Sequence, residues 1–435
     1  MWIDNSVFYQ IYPLGFCGAP KENDGVIVSR IKKAADWAEH IKKTGADAVY
    51  FCPVFQSDRH GYDTRDFFTI DNRLGTNDDF KEVCKVFHDN GIRVMLDGVF
   101  NHVGRGFHAF LDVKKNRHDS PYKDWFNIDF NRNSGYDDGF WYEGWEGHYE
   151  LVKLNLKNQN VVNHIFSAIK MWSDEFGIDG LRLDVAYCLD RDFLKQLRSF
   201  CDGLKADFAL IGEVLFGDYN QIVNDQMLHS CTNYECYKGL HSSFNALNMF
   251  EISHSLNRQF GAENWTLYKG KHLLNFVDNH DVTRISSILK DKNHIPLIYG
   301  LLFGMPGIPS VYYGSEWGAL GLKQDGDDAL RPCFEEPIFN ELTEFISKLA
   351  DIHKNSKALV YGGYKSVALT NRQHVFERCY ESERVLVAVN ASADAFTVNN
   401  LSGEFTDLIT CEKIIASGGL NLPPYSVYYL KQLSS

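Results

Sequence analysis

In the stretch GLRLDVAY, Arg182 and Asp184 interrupt a run of apolar side chains. Side chains alternate across a strand, so these two share one face while Leu181, Leu183 and Val185 share the other. Burying an unpaired charge costs several kcal/mol, so a strand of this kind either pairs its charges or uses them. Three more acids sit at the ends of apolar runs: Asp97 in RVMLDGVFNH, Glu213 in ALIGEV and Asp281 in LLNFVDNHD. Asn101 and His102 follow the first, and His280 precedes the last. Several carboxylates and one arginine, without metal-ligand spacing, fit cleavage of a glycosidic bond. One carboxylate attacks or steadies the anomeric carbon and another protonates the leaving oxygen. A guanidinium beside Asp184 favours its ionised form, as a nucleophile needs. Glu213 closes an apolar strand whose surroundings would raise its pKa, as a general acid needs.

These residues need a frame that delivers several strand ends to one place. Short apolar strands are expected over residues 7–13, 48–54, 93–100, 180–184, 208–214, 231–234, 272–279 and 309–313. Helical spacing is expected over 28–43, 78–90, 160–177 and 191–204. Eight short strands, most followed by a helix, favour a closed parallel (β/α)8 TIM barrel of the α/β class over a doubly wound open sheet. Chemistry in such a barrel gathers where strands end and loops begin. The expected organisation is a catalytic barrel of residues 1–102 and 156–353, with a small inserted subdomain, 103–155, after the third strand. An antiparallel β-sandwich domain is expected over 354–435, where alternation replaces helical periodicity.

Composition removes several classes of function. With 44 basic and 57 acidic residues the net charge is −13, and no basic run could track phosphates, so nucleic acid is an unsuitable partner. The ten cysteines, from Cys17 to Cys411, form no CxxC pair; they read as reduced core thiols in a reducing compartment. The N-terminal MWIDNSVFYQIYP lacks the basic segment of a signal peptide, and prolines interrupt the apolar stretch 295–314. A cytoplasmic protein without a membrane partner is therefore expected.

Four segments in order, DGVFNH, GLRLDVA, GEV and FVDNHD, resemble the signature segments of the α-amylase family of glycoside hydrolases, and the likeness runs over nearly the whole chain. The resemblance implies Asp184 as nucleophile, Glu213 as general acid/base and Asp281 as the third acid, gripping sugar hydroxyls in the distorted transition state. Arg182, His102 and His280 would line the same subsite. HGYDTRDF resembles the segment in which Tyr62 would stack on a sugar and Asp63 would shape the subsite, and Asp327 and Arg331 have the spacing of the family's late Asp and Arg pair. LVKLN resembles the fifth segment of neopullulanases, cyclomaltodextrinases and maltogenic amylases, although its first two residues differ. Two departures stand out. Tyr187 and Cys188 replace a Lys-His pair that serves a leaving-group subsite and a calcium in classical α-amylases, and Leu215 replaces an aromatic residue two after the acid/base.

No cofactor is expected. DFNRNSGYDDG, residues 129–139, alternates oxygen side chains like a calcium loop, but its glycine is one position late; calcium there is an alternative to a plain polar turn. Trp141, Tyr142, Trp145, His148 and Tyr149 are candidate sugar platforms, with about half of them expected in a core. The expected activity is retaining hydrolysis of α-1,4-glucosidic bonds in maltooligosaccharides, cyclodextrins or starch-derived glucans. A 4-α-glucanotransferase would use the same residues. A non-catalytic sugar-binding relative would have lost Asp184 or Glu213, and both are present. Substrate length and the choice between monomer and dimer stay open.

Overall fold

The computed structural model describes residues 1–433. Eight parallel strands are hydrogen-bonded in one sheet: β1 (Phe8–Ile11), β2 (Ala48–Phe51), β3 (Arg93–Gly98), β4 (Gly180–Leu183), β5 (Ala209–Gly212), β6 (Ser230–Cys231), β7 (Leu274–Phe276) and β8 (Ile308–Tyr312). Their order is β6-β5-β4-β3-β2-β1-β8-β7, and a parallel bridge between Thr232 and Leu274 closes the ring. Every expected strand is present and the barrel is closed.

Alternation sorts the side chains. Phe51 points outward and packs edge-on against Phe80 and Phe87 of the helix Asn77–Asp89, while Tyr50 turns its hydroxyl inward to Asp97. The strand β6 is short because Asn233 caps the helix Tyr234–Ala246, its side chain accepting from the Cys236 N–H at 3.2 Å. The helix expected over 28–43 divides into Lys32–Asp36 and Ala38–Lys43. Its first residues do not join the helix, and Val28 instead donates its N–H to the Asn72 carbonyl in a neighbouring loop.

After β3 the chain leaves the barrel. His102–Gly104 pairs antiparallel with His148–Lys153, which also pairs with Gly144–Trp145. Phe110, Phe126, Phe140 and Tyr142 bury against one another there. Tyr142 is thus a core residue, while Trp141, Trp145 and Tyr149 are half-buried and His148 is exposed.

One short helix beyond the expected helical end, Lys357–Tyr361, is capped by Ser356, whose hydroxyl accepts from the Leu359 N–H. Eight antiparallel strands follow: β9 (Gly363–Leu369), β10 (Gln373–Tyr380), β11 (Glu383–Asn390), β12 (Phe396–Asn399), β13 (Gly403–Asp407), β14 (Lys413–Ala416), β15 (Gly419–Leu422) and β16 (Ser426–Gln432). They form a six-stranded sheet, β9-β10-β11-β16-β13-β14, and a pair, β12-β15, around Val375, Leu386, Val398, Phe405, Leu422 and Leu430. The larger sheet lies on the helix His294–Gly304. A Cβ on Gly304 would come within 2.8 Å of Val387, so the lack of a side chain sets the close approach.

Candidate active site

Arg182 lies opposite Asp97 in the β4–β3 register, so alternation carries both into the barrel. The Nη1 of Arg182 donates to both oxygens of Asp97, at 2.9 and 2.8 Å, and to Asp184 Oδ1 at 3.1 Å. Its Nη2 lies 2.7 Å from Glu213 Oε1. One planar fork therefore holds three carboxylates from three adjacent strand ends. All four side chains are at most 8 % exposed. The charges in GLRLDVAY are paired, and the pairing assembles the cluster.

Burial opposes charge on Arg182, but Asp97 and Glu213 outweigh it and raise its pKa further. Burial raises the pKa of Asp97, Asp184 and Glu213; Arg182 works against the rise at each, and for Asp184 the neighbouring Glu213 adds to it. A single guanidinium cannot neutralise three ionised carboxylates in so dry a place, so burial and mutual repulsion together push the three carboxyls towards their protonated forms while Arg182 opposes it. The expectation of Arg182 simply holding Asp184 ionised is thus incomplete, because that guanidinium is shared.

The backbone contributes a turn with no sequence signal. Val185 adopts φ of 39° and ψ of 48°, left-handed and unfavourable for a β-branched residue. This directs its N–H to Glu213 Oε2 at 3.0 Å, tying the residue after Asp184 to the other carboxyl.

On the β7 side, Gln10 Nε2 faces His280 Nδ1 at 2.8 Å. With Gln10 donating there, the neutral ring carries its hydrogen on Nε2, which faces the Tyr62 hydroxyl at 2.5 Å and Asp281 Oδ2 at 3.1 Å. Burial pulls His280 down to about 3, consistent with a neutral ring. Its ring stacks between Tyr12 and Tyr62, with centroids 5.9 and 5.7 Å away. The hydroxyl of Tyr62 donates to Asp97 at 3.1 Å, joining this layer to the Arg182 cluster. Arg331 donates to Asp281 Oδ1 at 2.8 Å and to the His280 carbonyl at 3.1 Å. Although burial would raise Asp281, His280 and Arg331 hold it below the usual carboxylate range. Asp281 stays ionised and 37 % exposed, open to a ligand.

His102 is buried, which lowers its pKa to about 3. Asn101 Nδ2 faces its Nδ1 at 3.2 Å, while its Nε2 has no hydrogen-bond partner among the described residues and lies 3.8 Å from Asp184 Oδ2. An unused donor beside a carboxylate suits a sugar hydroxyl.

Arg182, Asp184, Glu213, His102, Tyr62, His280, Asp281 and Arg331 thus meet at one rim. Asp327 stands at its edge, half-exposed and 3.4 Å from Arg331. Asp63 is buried beside this layer and accepts the His60 N–H at 3.2 Å, bracing the loop that carries Tyr62. Sequence reading missed Gln10, Tyr12 and Tyr50 and gave Asp97 no separate role. Gln10 carried a usable signal, a polar residue in the apolar strand FYQI; Tyr12 and Tyr50 did not.

One departure from the family pattern, Tyr187, meets the neighbour of the other, Leu215, on the Glu213 side. The rings of Tyr187 and Phe216 lie 5.2 Å apart, and Phe216 is 67 % exposed beside the exposed Leu215. The Tyr187 hydroxyl donates to Glu146 from the segment after β3 at 3.4 Å. Nearby, Trp145 lies 5.7 Å from His102 and stacks with His148.

Among the described residues no group of three or more His, Cys, Asp or Glu converges as a metal site. In the 129–139 stretch, Asp129 accepts the Asn131 N–H, Asn133 donates to Asp137, and Asp138 is held by Arg105 and Ser134. His40, His88 and His164 lie outside the rim: the first two face Glu316 and Asp179 at 2.9 Å, and the third packs among aromatic rings. No helix of the described residues is long and apolar enough to cross a membrane.

The family model for the alpha amylase catalytic domain matches residues 10–358. A cyclomaltodextrinase from Thermoanaerobacter pseudethanolicus is 29 % identical over 99 % of this chain and 78 % of its own length. A cyclic alpha-maltosyl-(1→6)-maltose hydrolase from Arthrobacter globiformis superposes with a TM-score of 0.85 at 28 % identity, covering 99 % of this chain and 100 % of the other. A cyclomaltodextrinase structure gives a TM-score of 0.88 at 27 % identity, covering 99 % of this chain and 78 % of that one.

Proposed function

The chain belongs to the alpha-amylase family of glycoside hydrolases, and from that premise we propose that it hydrolyses α-1,4-glucosidic bonds in short or cyclic maltooligosaccharides with retention. The observation that carries this reading is the Arg182 fork, which grips Asp184 and Glu213 through its two terminal nitrogens. A shared guanidinium keeps the two carboxyls close, as formation of a covalent glycosyl intermediate requires. The starting state of the proposed reaction has Glu213 protonated and Asp184 ionised; burial of Glu213 supports the first and the Arg182 hydrogen bond to Asp184 the second.

In the first step a carboxylate oxygen of Asp184 bonds to the anomeric carbon while the bond to the leaving oxygen breaks and Glu213 gives that oxygen its proton. In the second, Glu213 takes a proton from water, whose oxygen bonds to the anomeric carbon and releases Asp184. Asp281, His280 and the free Nε2 of His102 grip hydroxyls of the sugar in the cleavage subsite, and Tyr62 offers a flat face to its ring. The names of the relatives support small and cyclic α-glucans as substrates.

The test is proton NMR of the first products from maltoheptaose and from β-cyclodextrin. Newly formed ends are expected in the α configuration, with rapid opening of the ring. Products first appearing as β anomers would overturn the retaining mechanism, and inertness on both substrates would overturn the α-glucan assignment.

A transferase reading gains from the Tyr187 and Phe216 rings, because an apolar platform beside the acid/base favours a sugar acceptor over water. Phe216→Ala is expected to cut the ratio of transfer to hydrolysis products from concentrated maltotriose by about three- to tenfold, a loss of about 1 kcal/mol of acceptor binding. Hydrolysis at low substrate should change far less. An unchanged product ratio by chromatography would show that Phe216 does not touch the acceptor.

A further inference from the structure

A cleft of about 400 Å³ opens far from the rim, between the barrel and the C-terminal sheets. Residues 260–262, 269–272, 306–307, 360–365 and 377–379 line it. His272 precedes β7, whereas His280 and Asp281 follow it, so the cleft lies at the opposite end of the barrel from Asp184.

Its charge contradicts that of the chain. The protein carries −13 overall, yet Lys269, Lys271, Lys365 and Arg378 line this cleft with one carboxylate, Glu377. Glu377 is taken by Arg384 at 2.5 Å. Lys269 and Lys365 are exposed, and the described residues offer neither a carboxylate partner. Arg378 is fully buried and donates only to the carbonyls of Gly304, Gly362 and Gly363. Gly304 ends the helix His294–Gly304, and the negative end of its dipole offsets part of the charge. The offset is incomplete, since burial still pulls the guanidinium down to about 9. Lys271 is held by the Val223 carbonyl at 2.6 Å, so the buried Arg378 lies beneath an opening rimmed by the exposed ammonium groups of Lys269 and Lys365, a costly arrangement that an anion bound in the opening would relieve through space.

Two further features describe the ligand. Gly270, at φ of 78°, has no atom within 4 Å of where a Cβ would stand, leaving its backbone open to a ligand. The ring of Tyr361 is 45 % exposed and meets His272 edge-on at 5.7 Å, giving one wall an apolar face of the kind that packs on a sugar ring.

We propose that this cleft binds a phosphate group, free or carried on a small sugar, and that its occupant ties the barrel to the C-terminal sheets. Flexible ammonium groups on two separate segments of one cleft, Lys269 and Lys365, suit a compact anion with several oxygens. The volume accommodates a hexose phosphate. Neither residue chosen for the test, Lys269 or Lys365, touches the rim.

The experiment is calorimetry and thermal unfolding of the full-length protein with inorganic phosphate, glucose 6-phosphate and glucose, with sodium chloride matching the ionic strength. A phosphate-bearing probe should bind and raise Tm, while glucose and the salt control should not. Binding by inorganic phosphate alone assigns free phosphate, and binding that needs glucose 6-phosphate assigns the sugar-borne group. Lys269→Gln and Lys365→Gln should each weaken binding by about tenfold or more; the double glutamate variant should abolish it, with an unchanged circular dichroism spectrum. The proposal is overturned if neither probe binds up to ~10 mM, or if the glutamine variants bind as tightly as the wild type.

Discussion

Replacing Asp184 with Asn should lower kcat on maltoheptaose by about 10⁴-fold or more, the scale seen when a covalent nucleophile is removed. The same change should leave Tm unchanged or raise it, which separates a chemical role from a structural one. Asp184 is one of three carboxylates on a single guanidinium, and burial raises its pKa. An amide of the same shape accepts the Arg182 hydrogen bond without adding a charge, so repulsion from Glu213 disappears. Catalytic sites commonly hold such destabilising groups. Residual activity within tenfold of wild type would remove Asp184 from the chemistry. A steep fall in Tm with the loss of activity would instead assign it to holding the barrel end together.

How much of this cluster the sequence disclosed follows from which physics is local. Alternation along a strand is local, so Arg182 and Asp184 could be placed on one face, and apolar runs ending in acids located four strand ends. Helical spacing and Gly177, which adopts φ of 69° as a helix stop, are local too. The stack of Tyr12, His280 and Tyr62 joins β1, β7 and the loop after β2, and no spacing in the chain encodes it. The left-handed turn at Val185 was equally hidden, since valine is a poor candidate for such a conformation. The family resemblance supplied roles for Tyr62 and Arg331 that neither residue type would suggest alone. It did not supply the meeting of Tyr187 with Phe216, because Tyr187 is a departure from the pattern and Phe216 lies beside another, Leu215. The short helix at 357–361 escaped because a Ser cap and five residues give too little periodicity.

Arg182→Met should cost about 3–5 kcal/mol of stability at neutral pH, the range for removing one partner from a buried ionic group, and the cost should depend on pH. Without the guanidinium, Asp97, Asp184 and Glu213 lose the group that opposes the rise in their pKa values, so all three move further upward. A carboxyl whose folded pKa lies above its unfolded value of about 4 contributes its stability below that value and loses it as pH rises through the folded pKa. The deficit relative to wild type should therefore be smallest at the acid end, near pH 4, where the folded carboxyls of the variant are protonated and the unfolded ones only begin to ionise, and should widen towards pH 8. Denaturant unfolding at the two pH values measures it; a deficit independent of pH, or larger in acid, would mean that Arg182 acts through packing. Arg182→Lys sharpens the distinction. One ammonium returns the positive charge but not a fork that reaches three carboxylates from adjacent nitrogens. It should recover part of the stability at pH 8 and little of the activity, because the geometry that sets Asp184 against Glu213 depends on the fork and the pH dependence on the charge.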